Sequence, residues 1–275
     1  MNENRHLIRI LMRTREDFQS MRKRIDNRLG QKKDGTLQEV DEREILSDMA
    51  IYLKENRDYL KLQEKSTETY IKNILKEIPV YNEFLLNVKG VGGAMAGWII
   101  SEFDIDIATT VSKMWQYAGL NPGLVYGKKR IEKKKSFSIV VTDELIRGDK
   151  LTPGFISPFN GKLRTVLCGI LADSFLKSKS SYALDYYYPY KTRLEQEESV
   201  ITGNSKGKKW KETSPGHRNN AAKRYMIKMF IKDLYVAWRE IEGLPVRKPY
   251  AEEYLGKRHS AKPIEETKAR ELAIV

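Results

Sequence analysis

The chain has 275 residues, and its 50 Lys and Arg against 37 Asp and Glu give a formal net charge of +13. That length buries a core without disulfides or metals, and a cationic excess of this size belongs on the surface, where it suits a polyanionic partner such as nucleic acid. Cys168 is the only cysteine, which excludes an intramolecular disulfide and any multi-cysteine zinc site and fits a reducing cytoplasm; no apolar run approaches the roughly 20 residues that span a bilayer, so membrane insertion is excluded as well.

The N-terminal stretch Met1 to Arg15 mixes basic and apolar residues without the apolar run and small-residue cleavage site of a signal peptide. Leu7, Leu11, Phe18, Met21 and Ile25 form one apolar stripe at helical spacing, with arginines opposite. Gly30 to Gly35 reads as a turn, and Thr36 with Glu39 as a capping box that starts a second helix. Leu46, Met49, Leu53, Asn56, Leu60, Gln63, Thr67, Tyr70 and Ile74 then hold a seven-residue repeat, the pattern of a coiled-coil seam that a helical hairpin or a dimer would use. Within it Asn56 reads as a register-fixing amide, and Pro79 ends the arm.

Tyr81 to Pro122 reads as short helices joined by glycine turns. Ser136 to Val141 has the β-branched and aromatic content of a short strand, and Gly161 to Leu176, apolar on nearly all sides, that of a buried helix. Ser199 to Thr213 is a Gly-, Ser- and Lys-rich exposed loop. Ser214 as N-cap and Pro215 at the first helical position open a last helix to about Glu242, with Arg224, Lys228 and Lys232 as a basic ridge. The expected organisation is mainly α: a coiled-coil helical arm over 1–79, a helix-hairpin-helix-containing helical domain with at most a short β element over 80–243, and an extended tail over 244–275.

The functional reading centres on Val88 to Ile100. A short helix, a Gly-x-Gly-Gly bend at Lys89, Gly90, Val91, Gly92 and Gly93, and a second helix make a helix-hairpin-helix signature. Glycines keep side chains out of the way of a phosphate, and the free amides and dipole at the start of the second helix attract one irrespective of base identity. Two basic clusters extend this surface: Lys128, Lys129, Arg130, Lys133, Lys134 and Lys135 in one short segment, and Lys206, Lys208, Lys209, Lys211, Arg218, Lys223 and Arg224 around Trp210 and His217, where Trp210 offers a ring for a base. The run Tyr182, Tyr186, Tyr187, Tyr188 and Tyr190 is either a stacking surface or, as is commoner, a buried helix interface. His6, His217 and His259 lack metal-ligand spacing, Asp104 and Asp106 are better suited to closing a helix end than to holding magnesium, and neither a Walker loop nor a Gly-x-Ser-x-Gly elbow occurs.

Val88-Lys89-Gly90-Val91-Gly92-Gly93 followed by Tyr117-Ala118-Gly119-Leu120-Asn121-Pro122 resembles the C-terminal domain of the insertion-sequence transposases known as bridge-RNA-guided (DEDD-type) recombinases. The family's Gly-Asn-x-x-Leu-Arg is echoed at Asn160, Leu163 and Arg164, with Phe159 in place of the glycine, and the likeness spans about Tyr81 to Ile241. It implies DNA binding in transposition or recombination of a mobile element, a helical arm that pairs subunits into a homo-oligomer, and a guide RNA as a further partner. The family's N-terminal resolvase-like nuclease domain, with its metal-binding carboxylates, has no expected counterpart here. The family's nucleophilic serine is also unmatched, because the corresponding stretch is Leu124-Val125-Tyr126-Gly127-Lys128-Lys129; Ser157, near the Asn160 echo, is the candidate. No cofactor is evident, and magnesium would be needed only if a partner domain supplied catalysis. The sequence thus favours a cytoplasmic, transposase-related DNA-binding protein that grips the backbone through the glycine bend, the basic segments, Arg164, His217, Arg218, Arg224 and Lys228. The alternatives are a compact serine-dependent recombinase and a coiled-coil structural partner.

Overall fold

The computed structural model describes residues 2–29, 47–133, 136–201 and 207–247. The chain is mainly α-helical, with one two-stranded antiparallel sheet among the described residues. It forms two compact units, one of residues 1–82 and 92–102, the other of 83–91 and the described residues from 103 onward. The expected turn at Gly30 to Gly35, the Thr36/Glu39 box, Leu46, Lys134, Lys135, Lys206, His259 and the tail beyond 247 lie outside the described residues. Among the described residues no helix is long and apolar enough to cross a membrane.

In the smaller unit α1 (Asn2–Arg28) packs along α2 (Ser47–Leu75), and α4 (Gly93–Glu102) lies against both. Arg15 meets Glu68 while Arg22 meets Glu64, so α1 and α2 run antiparallel. The face α1 turns inward is not the predicted stripe. Ile8, Met12 and Leu29 are buried whereas Leu7 and Met21 are exposed, and the middle of the interface is polar. There the buried Glu64 accepts hydrogen bonds from Gln19 at 2.8 Å and Arg22 at 3.0 Å, with Arg15 at 3.3 Å and Asp26 closing the set on Arg22 at 2.9 Å. Charge pairing here outranks apolar content in choosing the face. The heptad reading of α2 holds at Leu60 and Thr67 and fails at Met49 and Tyr70, which are exposed, because the buried line follows Leu60, Glu64, Thr67, Ile71 and Leu75. Asn56 bonds its own helix, donating to the Tyr52 carbonyl at 2.8 Å.

The helix α4 is buried along Met95–Glu102. Gly97 makes this possible, since a Cβ there would lie 2.8 Å from Met12 Sδ and 3.2 Å from Ile71. Arg9 closes its C-terminal end, donating to the Ser101 carbonyl at 3.1 Å and pairing with Glu102 at 3.5 Å. The sequence reading assigned this helix to the second domain, but its packing places it with the arm. α2 ends at Leu75, and Pro79 opens α3 (Pro79–Glu83).

The larger unit is organised on α9 (Pro215–Ile241), which Ser214 caps by accepting from the His217 amide at 3.2 Å. Against it pack α5 (Val111–Tyr117), α8 (Tyr188–Gln196) and two wide π-type turns, Val166–Leu171 and Ala183–Tyr187. The helix expected over Gly161 to Leu176 is continuous, running from α6 (Gly161–Thr165) through the first turn into α7 (Ala172–Lys177) with helical backbone angles at both junctions. The second precedes Pro189, whose ring cannot continue a regular i to i−4 ladder. Phe175, Tyr182 and Phe230 form the aromatic centre, with Phe175 and Tyr182 stacked at 5.3 Å and Phe230 edge-on to both. The tyrosine run therefore takes its structural role: Tyr182 and Tyr187 are buried, donating to Asp233 and Asn219 respectively. Arg239, nearly fully buried, donates to the carbonyls of Ile105, Ala108 and Pro245.

A β-ribbon departs most from expectation. In place of a short strand at Ser136 to Val141, β1 (Leu124–Lys133) pairs with β2 (Ser136–Arg147), so Lys128, Lys129, Arg130 and Lys133 of the first basic cluster lie in a strand. The register shifts between Tyr126 and Lys128, where Gly127 admits the Phe155 ring, which a Cβ would overlap at 2.3 Å. Successive Lys and Arg residues hide a strand from propensity rules because their side chains carry no β preference, and pairing with Ile139, Val140 and Val141 decides the matter.

Candidate functional site

The predicted glycine bend is not one structural piece. Residues 83–91 belong to the larger unit and residues 92–102 to the smaller, so the division falls between Val91 and Gly92. Its first helix is short, the 3₁₀ turn Leu85–Asn87 after α3. Gly90 is glycine for packing: its φ is +99°, and an added Cβ would lie 2.9 Å from both Phe175 Cδ1 and Ser178 Oγ, while Ser174 Oγ donates to its carbonyl at 2.7 Å. Val91 is half-buried, Lys89 and Gly92 are exposed, and a Cβ at Gly93 would meet the Lys72 side chain at 3.0 Å. The space expected to admit a phosphate at Gly90 is filled by α7.

The two other fragments of the motif, about forty residues apart, come together. Gly119, with φ +68°, ends α5 in a left-handed turn in which the Leu120 amide donates to the Trp115 carbonyl at 2.8 Å. The Asn160 amide donates to the Tyr117 carbonyl at 2.8 Å, and Asn160 Nδ2 to the Tyr117 hydroxyl at 3.1 Å. Asn160 Oδ1 in turn caps α6, accepting from the Leu163 amide at 3.0 Å. A Cβ at Gly119 would lie 2.7 Å from the Phe159 ring and 3.1 Å from Arg164 Cδ. Glycine at 119 thus makes room for Phe159, over whose ring the Arg164 guanidinium sits at 4.8 Å.

This wall borders a cleft of about 630 Å³ lined by Arg147, Asp149, Arg164, Arg224, Lys228 and aromatic residues that include Trp210. Its one acidic lining residue is already engaged: Arg147 binds Asp149 through two hydrogen bonds of 2.9 Å. Arg164 donates only to the Asp149 main-chain carbonyl. Among the described residues Arg164, Arg224 and Lys228 form no ion pair. Burial lowers the pKa of Arg224, and the neighbouring Arg164 lowers it further. Burial alone lowers that of Lys228, whose ammonium rests 4.4 Å from the Trp115 ring centroid. Arg224 and Lys228 are thus partly desolvated without an ion pair, Asp149 acting on Arg224 only through its field, and a bound anion would add opposite charge.

The second basic cluster divides on inspection. Glu198 takes Lys209 at 2.8 Å and also Lys211, which together hold its carboxyl down at about 2. Arg218 donates to the carbonyls of Lys211 and Thr213, binding the preceding turn onto α9. Lys223 pairs with Asp173. Arg224 and His217 line the cleft, and Lys208 is exposed. In the ribbon Lys128 is exposed, Lys129 pairs with Glu144 at 2.7 Å, and Arg130 covers the Phe137 ring at 4.1 Å. The side chains of Lys133, Lys134 and Lys135 lie outside the described residues.

Ser157 is exposed, and its hydroxyl donates to the Phe159 carbonyl at 2.7 Å, a turn contact that gives it no base. Asp104 closes a turn, accepting from the amides of Asp106 and Ile107. No group of three or more His, Cys, Asp or Glu residues positioned for a metal occurs among the described residues. Sequence reasoning missed Arg147, Asp149 and Lys150, which reach the cleft from the end of β2 and the turn after it; the Arg-Gly-Asp-Lys run at 147–150 was the available signal. No family model, no curated protein and no solved structure matches the chain.

Proposed function

We propose that this protein binds the sugar-phosphate backbone of DNA through the cationic cleft of its larger unit, in the manner of a transposase-related protein acting in recombination of a mobile element. One observation carries the reading: Arg164 and Arg224 face a common cleft, half-buried, in no ion pair, and its one carboxylate, Asp149, is bound by Arg147. Such a pair is costly in the free protein and is relieved by a phosphate, for which guanidinium geometry is suited. The exposed Lys128 and Arg130 of the ribbon extend the cationic surface for sequence-independent contact. Tyr117 to Pro122 and Asn160 to Arg164, the fragments that resemble the insertion-sequence family, come together in the wall of this cleft, and this juxtaposition supports the reading.

The test is fluorescence anisotropy with a labelled duplex across a salt series. Wild-type affinity should fall steeply with salt as counterions are released, and the Arg164→Ala/Arg224→Ala double variant should bind about a hundredfold more weakly at low salt, with a slope reduced by about 2. Equal affinity and slope in both proteins would remove the cleft from DNA binding.

A further inference from the structure

The cleft is aromatic as well as cationic, and phosphate binding leaves this unused. Trp210 and His217 line it together, their ring centroids 5.5 Å apart and their planes tilted by 38°. Two neighbouring tyrosines are committed elsewhere: Tyr190 and Tyr225 stack on one another at 4.3 Å, and Arg193 sits 5.2 Å from the Tyr190 ring centroid. Trp210 is held by main-chain bonds, its amide donating to the Ser199 carbonyl at 3.2 Å and its carbonyl accepting from Thr213 at 3.0 Å. Glu198 pins the same turn through Lys209 and Lys211. The indole, half-buried, is thus presented to the cleft from a fixed backbone.

Building on the DNA-binding reading, we propose that the cleft seats one unstacked nucleotide, with its phosphate on Arg164 and Arg224 and its base against Trp210. A volume of about 630 Å³ holds a single nucleotide with its water, whereas a duplex would meet the cleft only along its phosphates. Aromatic rings accept any base because every base has a π-face, so the site selects for an unpaired nucleotide and not for a sequence. The same chemistry is offered by an unpaired position in a strand and by a free nucleoside monophosphate.

The experiment uses the full chain and three competitors against a labelled strand: a blunt duplex, the same duplex carrying a 5′-phosphorylated single-stranded overhang, and free dAMP. A 2-aminopurine in the overhang reports stacking directly through quenching. The overhang duplex should compete about tenfold better than the blunt one, with quenched 2-aminopurine. Trp210→Ala should bring the ratio of the two to about one and restore the fluorescence, and Trp210→Phe should recover most of the preference. Displacement by dAMP with no overhang preference would assign the seat to a free nucleotide, provided Trp210→Ala abolishes it. If neither competitor is preferred, or if the preference survives in Trp210→Ala, the proposal is overturned. Failure of the backbone-binding reading is distinct, since it would appear as weak, salt-insensitive binding of the blunt duplex itself, and the dAMP arm would still test the seat.

Discussion

Arg15 and Arg22 of the helical unit and Arg164 and Arg224 of the larger unit are the same residue type under opposite electrostatic conditions. The first pair lies among Glu64, Glu68 and Asp26, so that each guanidinium is answered within 3.4 Å. The second pair forms no ion pair: Arg164 has a main-chain carbonyl and an aromatic ring, and the nearby Asp149 is bound by Arg147. A buried charge whose partner is part of the chain has a structural role, whereas one whose partner is missing awaits a ligand. The comparison predicts that the two sets respond differently to mutation.

The largest expected effect lies in the arm. Glu64→Ala leaves Arg15, Arg22 and Gln19 without their shared acceptor, and breaking a set of this kind costs about 3–4 kcal/mol. Urea unfolding should register that loss, with DNA affinity of the remaining folded protein unchanged. The charge-swapped cleft variant Arg224→Glu should do the reverse: DNA binding falls by about a hundredfold at low salt while stability holds, because a carboxylate beside Arg164 gives that guanidinium a partner. If Arg224→Glu unfolds the protein instead, the cleft cations are structural like those of the arm, and the contrast between the two sets collapses.

The glycine bend sharpens the comparison at intermediate scale. Gly90→Ala meets both a positive φ and the Phe175 and Ser178 side chains, and should destabilise by about 1–3 kcal/mol. Gly92→Ala has no neighbour within 4 Å and an ordinary backbone angle, and should change stability by about 0.5 kcal/mol or less. Thermal melts of the two variants separate a packing glycine from a surface one. Comparable losses in both would mean that the bend is constrained throughout.

The sequence made the helices legible where caps and breakers act locally. Ser214-Pro215 and Pro79 each stand at a helix start because each acts through its own ring or hydroxyl. It misplaced the inward face of α1 because Arg15, Gln19 and Arg22 look like surface residues until Glu64, more than forty positions later, is brought against them. For the same reason the first basic cluster did not read as a strand: its strand character comes from a partner and not from its own composition. Of the cleft, Arg164, His217, Arg224 and Lys228 were visible as basic residues, but not that Glu198 and Asp173 pair with their lysine neighbours while Arg164 and Arg224 form no ion pair. Pairing over long separations decides which charges are available, and a linear reading counts them all.

The smallest expected effect concerns an acid on the same helix as Arg224. Asp233 is half-buried on α9 and accepts from the Tyr182 hydroxyl at 3.0 Å. Burial raises its pKa, and the Tyr182 hydrogen bond and Lys232 only partly oppose this. A carboxyl whose folded pKa exceeds its unfolded one stabilises the fold fully below the unfolded value, and this contribution is lost as pH rises through the folded value. Asp233→Asn keeps an oxygen for Tyr182 and removes the ionisation. The variant should therefore gain on wild type as pH rises from 3 to 7, a difference readable from paired urea titrations at the two ends. A pH-independent difference would mean that the Tyr182 bond fully offsets the burial of the carboxylate, as the glutamate of the arm is offset by its arginines. Asp233 would then belong with the satisfied charges and not with Arg224.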